Sequence, residues 1–425
     1  MATSSVSSAP ASTPMPPSAP APAPVMGLAE FICLMACFMA LTAMSIDIML
    51  PALPLIRDTY GLTGGNQQQL VVIIFLVGFG FGQLFYGPLS DRLGRKPVIM
   101  LGVGIYAAAT IMCLMASSFE MLIAMRFMQG IGAAAPRVVS VAVIRDLYHG
   151  RRMAEVMSFV MTVFIMVPAI APAMGSGILL LGDWHEIFMV LAAFSLLVMG
   201  WTAWRLAETR PPEARTPLSA AWLAQAFRET VTNRQTLGYT IAISACFGGM
   251  ISYISSAQQI FADVYGMGQW FPLLFGLVAV ALSIAAIING RLVNRLGMRR
   301  LGHLAMTGFF TIALLHLCLD LLFHVPLVLF VSLMSAQLFC FGFIMPNYNA
   351  LAMEPMGRIA GTASSFIGAV TTALAAFLGW MVGQAYDGST LPISIGFACF
   401  GAAALAVTFI TEGGRLFNSE TGNIR

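Results

Sequence analysis

Charge is scarce in this chain. Asp, Glu, Lys and Arg make up 9% of it, against about 25% in soluble domains. Hydrophobic residues make up 59% and the mean hydropathy is +0.86, which argues against a water-soluble globule. The net charge of +3 is spread over short segments, so no basic patch for nucleic acid is formed. The seven cysteines include no C-x-x-C pair with partners elsewhere, so neither a metal nor a disulfide framework is expected. The five histidines (His149, His185, His303, His316, His324) are scattered, at ends of apolar runs or alone. No buried His/Ser/Asp constellation of a membrane hydrolase is therefore legible. No G-x-x-x-x-G-K-[ST] loop occurs, which argues against ATP as energy source. No enzyme, cofactor or metal is expected. Residues 1–27 hold no charged residue, and Pro10, Pro14, Pro16, Pro17, Pro20, Pro22 and Pro24 break any helix. This segment reads as a disordered tether. It lacks the basic start of a secretory signal.

Long apolar runs are what the chain has. Twelve lie near 28–54, 67–89, 98–117, 120–143, 153–181, 186–205, 236–258, 270–290, 301–322, 326–349, 359–382 and 391–410. Each supplies about the 20 residues that a helix needs to cross ~30 Å of hydrocarbon. The fold class expected is an all-α membrane protein with twelve transmembrane helices. Of the 21 basic residues, 18 fall in the gaps after even-numbered runs or in the tail. The positive-inside rule then puts those gaps and both termini in the cytoplasm.

The longest internal polar stretch, 206–235, carries Pro211, Pro212 and Pro217 and divides the runs six and six. It reads as a cytoplasmic linker between halves at 28–205 and 236–410, with a tail at 411–425. The halves resemble each other. G-P-L-S-D-R-L-G-R-K at 87–96 follows the second run, and G-R-L-V-N-R-L-G-M-R-R at 290–300 follows the eighth. Gly87, Asp91, Arg92 and Gly94 align with Gly290, Asn294, Arg295 and Gly297 at one offset of 203 residues. Duplication of a six-helix unit explains that spacing, as in one large class of secondary transporters.

Few charges lie inside the runs. Asp47 is the only carboxylate well inside one, and Arg126 sits at a similar depth in the fourth run beside Gln129 and Gly130. A guanidinium in a membrane helix costs at least ~2.5 kcal/mol, so it must face the interior and find a partner. Asp47 is the expected partner. A carboxylate held there can bind and release a proton as its surroundings alternate, and the competing reading is a wetted helix end. Arg137 lies eleven residues after Arg126 and reads as structural. Glu30, Glu354 and Asp320, at the ends of runs or in loops, are expected to be solvated. In the fifth run, V-P-A-I-A-P-A-M-G-S-G places Pro168, Pro172 and Gly175 on a kinked, close-packing face.

The loop with Gly87, Asp91, Arg92, Gly94, Arg95 and Lys96 resembles the hallmark loop of the major facilitator superfamily at every position, and the likeness spans nearly the whole chain. In that family the loop latches the half-domains, which would make Asp91 and Arg95 members of a cytoplasmic gate. R-F-M-Q-G at 126–130 is similar to the family's fourth-helix motif, linked to proton transfer. The 167–177 segment resembles the fifth-helix motif of the drug/proton antiporters, whose glycine-proline face packs against the second half. Ala171 and Ser176 stand where that motif has glycines. I-D-I-M-L-P-A-L-P, I-R-D-L-Y, P-A-I-A-P, F-G-F-I-M-P-N and G-T-A-S-S together resemble the bicyclomycin/chloramphenicol-resistance branch. Some drug antiporters carry a second first-helix carboxylate, where this chain has Met39, Ala40, Thr42 and Ala43.

The resemblance implies two six-helix halves in a bacterial inner membrane and a monomer bathed in lipid. It implies alternating access, with small apolar or amphiphilic compounds leaving in exchange for protons. Gln129, Tyr253, Gln258, Phe341, Asn347 and Tyr348 are candidates to line the cavity. A proton-coupled metabolite exporter or a nutrient symporter would use the same fold and remains open. A membrane enzyme or sensor is the remote alternative.

Overall fold

The apolar runs become long helices because a backbone in hydrocarbon must satisfy its own polar groups. The computed structural model describes residues 26–215 and 220–417. The tether expected over 1–27, apart from Met26 and Gly27, and the last residues of the tail lie outside them. Among the described residues, twelve helices are long and apolar enough to span a bilayer. They are α1 (Leu28–Asp47), α2 (Leu70–Leu93), α3 (Arg95–Leu114), α4 (Phe119–Leu147), α5 (Gly150–Leu179) and α6 (Trp184–Arg205). The second six are α7 (Arg234–Gln259), α8 (Phe271–Leu296), α9 (Met298–Leu322), α10 (Leu327–Met353), α11 (Ala360–Gln384) and α12 (Leu391–Thr411).

Local signals set their ends. The Ser118 hydroxyl accepts from the Met121 N–H at the start of α4, and the Asn233 side chain accepts from Thr236 N at α7. Asp183 and Glu186 form a reciprocal capping box at α6. Pro51 and Pro54 close α1, which tightens through a 3-10 turn at Leu50–Ala52 into a short helix, Leu53–Thr59. The linker expected over 206–235 is partly ordered: Ala220–Thr232 is helical and lies against α7 and α11.

Every major packing pair of the first half recurs six helices later. α2 packs on α4 as α8 does on α10, α3 on α4 as α9 on α10, α1 on α5 as α7 on α11, and α3 on α6 as α9 on α12. The loops that carry the internal repeat match in backbone conformation too. Gly94 (φ +103°, ψ 161°) and Gly297 (φ +78°, ψ 156°) each end one helix and begin the next, in a region nearly closed to residues with a Cβ.

The halves meet along α2–α11 and α5–α8, two seams exchanged by the same six-helix shift. Their hydrogen bonds concentrate at the end away from the linker, the far end. There Gln69 Nε2 donates to Gln259 Oε1 (2.6 Å), and Gln259 Nε2 to Asn66 Oδ1 (2.9 Å). Asn66 Nδ2 donates to Tyr386 O (2.9 Å) and Gln384 Nε2 to Asn66 O (3.0 Å). These links form an uncharged clasp across the molecule.

Candidate functional site

Arg126 organises the interior of the first half. It is wholly buried, and its donors reach three elements. Nε donates to Val71 O on α2 (2.8 Å), Nη1 to Gln129 Oε1 on its own helix (2.6 Å), and Nη2 to Ser45 O on α1 (3.0 Å). The guanidinium also lies 4.6 Å from the centre of the Phe75 ring, a cation–π contact. Gln129 Nε2 donates to Thr110 Oγ1 on α3 (2.8 Å), and Ser45 Oγ meets the Tyr106 hydroxyl at 2.6 Å. Four helices are thus tied to one cation.

Asp47 ends α1 two residues beyond Ser45. It is buried at 3% exposure, and its Oδ1 has no hydrogen-bond partner. The ion pair with Arg126 expected from the sequence is absent in this state, because backbone and amide oxygens occupy the guanidinium instead. The wetted-end alternative also fails, since Asp47 is enclosed. Gly175 of α5 lies against this spot: a Cβ there would run into the Ile48 carbonyl and approach Pro51 Cγ at 3.0 Å. Pro172 is buried and Pro168 half-buried beside it. Gly175 therefore supports the end of α1, and does not meet the second half as its motif implies. That seam is made lower on α5, where Ser283 Oγ of α8 donates to Ile165 O (3.4 Å) and Gly276 faces Ala169 O.

At the linker end, Arg95 is 2% exposed and grips Asp91 Oδ1 and Asp146 Oδ2, each at 2.8 Å, and Ser90 Oγ at 2.7 Å. Asp146 belongs to the I-R-D-L-Y segment on α4. Glu208 accepts from the Arg95 and Lys96 backbone N–H groups, Arg210 reaches Asp91 at 3.3 Å, and Lys96 Nζ donates to Ala203 O (2.8 Å). Arg92 is exposed. Gly87 sits against Ser365 Oγ on α11, so the first motif of one half meets the G-T-A-S-S segment of the other. The matching junction of the second half uses different residues: Arg299 pairs with Glu354 (3.2 Å) and Glu412 (3.3 Å), and the Tyr239 hydroxyl donates to Glu412 (2.6 Å).

The remaining candidates have these surroundings. Gln129 is committed to Arg126. Asn347 is buried and donates to Asn289 Oδ1 (2.6 Å), and Tyr348 accepts from Thr408 Oγ1 (3.3 Å), so both brace the second half. Phe341 is buried against Phe247, and Tyr253 stacks on Phe275 with its hydroxyl unpartnered. Gln258 is half-buried at the end of α7. Glu30 is half-buried, holding Arg205 at 2.6 Å and accepting from Trp201 Nε1. Glu354 stays exposed but is paired. The Asp320 side chain is buried rather than solvated, at 3% exposure. Arg137 lies over the Phe164 ring at 5.1 Å. The polar clasp at the far end was not read from the sequence, because four amides at ends of apolar runs carry no distinguishing pattern.

Residues 35–380 match the family model of the Major Facilitator Superfamily. A bicyclomycin resistance protein homolog of Haemophilus influenzae is 31% identical over 388 residues, covering 90% of this chain and 96% of that one. A chloramphenicol resistance protein of Pseudomonas aeruginosa is 32% identical over 272 residues, 64% of each chain. Among solved structures, a D-xylose-proton symporter superposes with a TM-score of 0.75 at 15% identity, covering 93% of this chain and 99% of that one. At that identity the likeness speaks for the fold alone.

Proposed function

The chain belongs to the Major Facilitator Superfamily and is similar to its bicyclomycin/chloramphenicol-resistance transporters, and we propose that it exports small apolar or amphiphilic compounds in exchange for protons by alternating access. The observation that carries the reading is Asp47: an enclosed carboxyl with an unpartnered oxygen, two residues from the carbonyl that Arg126 holds. In this reading the arrangement is the proton-loaded one. Loss of the proton leaves a buried carboxylate that must find a donor. Arg126 supplies it by releasing Ser45 O, which moves the end of α1 against Gly175 on α5. Proton release and helix movement are then one event, as an antiporter requires.

The amide clasp supports a state closed at the far end. By the charge distribution that end is periplasmic, with both termini in the cytoplasm of a bacterial inner membrane. Asp91 and Arg95 belong to the cytoplasmic gate, where their ion pairs hold α2, α4 and the linker together. The protein acts as a monomer, since each half completes the other along α2–α11 and α5–α8.

A drug panel that includes bicyclomycin and chloramphenicol, run on an efflux-deficient host with and without an uncoupler, identifies the substrate. Asp47→Asn should insert normally and lose pH-driven export of whichever compound scores. An Asn variant with unchanged gradient-dependent export would remove Asp47 from the mechanism.

A further inference from the structure

The second half holds a buried polar cluster that the site above does not use. His316 on α9 is fully buried, and Asp320 follows one turn later with its Oδ2 3.7 Å from His316 Nε2. From α10, the fully buried Gln337 places its amide nitrogen 3.5 Å from His316 Nδ1. Thr390, at the start of α12, donates its hydroxyl to Asp320 Oδ1 at 2.8 Å. The Phe330 ring closes over the imidazole at 5.7 Å. Three polar atoms remain buried without partners: His316 Nε2, Asp320 Oδ2 and Gln337 Oε1.

An unmade buried hydrogen bond costs about 1–3 kcal/mol, and more when the group is charged. Three in one cluster are not what packing alone selects, since apolar residues of similar volume are often the more stable solution. The gap between Nε2 and Oδ2 is too long for a hydrogen bond and short enough for a side-chain rotation to close. The Gln337 amide nitrogen can only donate to Nδ1, so the neutral imidazole carries its proton on Nε2, facing the carboxyl. With the imidazole neutral, the pair carries a charge of −1 when the carboxyl is bare and zero when it is protonated.

The surroundings offer no substitute for that proton. α10 presents Gln337 and Phe330, and α12 presents Thr390. Tyr265, beyond α7, is the further titratable group set against Asp320; burial first and the Asp320 carboxylate second push its phenol above the ordinary value. Its hydroxyl is already committed to Val325 O (2.9 Å), and His324 lies behind its ring. Among the described residues, no Lys or Arg forms an ion pair with Asp320.

We propose that Asp320 and His316 form a second proton-binding site, in the second half, that takes one proton from the aqueous phase onto the Asp320 carboxyl, with the Nε2–H of the neutral imidazole turned toward it. An O–H bond forms on the Asp320 carboxyl on uptake and breaks on release, with no other change. As a further proton carried per transport cycle, the site rests on the antiport reading; as a binding site it does not.

The test is an infrared pH titration of the full-length protein in lipid nanodiscs, following the C=O stretch of protonated carboxyls, with no substrate present. The wild type should show a component that Asp320→Asn removes, separate from the one that Asp47→Asn removes. His316→Asn, which leaves the carboxyl in place, should move the midpoint of the Asp320 component by roughly one pH unit or more, the size expected when a neighbouring ionisable group is lost. A titration unchanged by Asp320→Asn, or an Asp320 component indifferent to His316→Asn, would overturn the site. If Asp47→Asn alone changes nothing, the antiport reading loses its coupling residue while this site stands.

Discussion

Arg126 spends its guanidinium on three acceptors from three directions, so its shape matters as much as its charge. Lysine keeps the charge and loses the planar fork, and its single nitrogen cannot reach Val71 O, Gln129 and Ser45 O in that geometry. Hydrogen bonds to charged groups are worth about 1.5–3 kcal/mol each. Arg126→Lys is expected to insert and to lower export at least ~10-fold, which corresponds to ~1.4 kcal/mol. Arg126→Ala should abolish export and lower the unfolding temperature in detergent, and an alanine variant as thermostable as the wild type would show that the network does not brace the half. The burial of Asp47 and Arg126 was legible in the sequence, because charges inside apolar runs stand out. Their partners were not. Arg126 binds two backbone carbonyls, which leave no trace in a side-chain pattern. Asp320 looked like a wet helix end because its hydrogen-bond partner, Thr390, comes from a distant segment.

At the scale of elements, the loop 87–96 and the fifth helix were recognisable as units, and the structure reassigns what they touch. Arg95 and Asp91 bind the linker and α4, while the loop's contact with the other half is made by Gly87 against Ser365. Asp91→Asn removes two ion pairs and leaves every positive charge in place. Orientation in the membrane should hold, and transport rate should change with drug affinity barely altered. A variant with full transport rate would reduce the loop to a topology signal. Gly175→Ala tests the fifth helix. Its methyl group would collide with the Ile48 carbonyl and push the end of α1 that carries Asp47. The expected result is normal abundance in the membrane with strongly reduced export, and unimpaired export would disconnect the fifth-helix motif from Asp47.

The whole molecule is two copies of one six-helix plan, and that duplication was visible in the 203-residue offset between the loops. Its two seams and the clasp of Asn66, Gln69, Gln259 and Gln384 arise only when the copies are placed face to face. Gln259→Ala removes both central links of the clasp. Spin-label distances between the far ends of α2 and α7 should then broaden toward longer values, and an unchanged distribution would show that the clasp does not hold that end shut. The central claim is exchange of a drug for protons. It is tested most directly by purified protein in liposomes with an imposed pH gradient, following uptake of a radiolabelled compound that scored in the drug panel. With the interior acidic, outward proton flow should drive the compound inward, and it should accumulate above its external concentration. Reversing the gradient should prevent accumulation. Accumulation only when the interior is alkaline would mean symport, and uptake indifferent to the sign of the gradient would contradict proton coupling altogether.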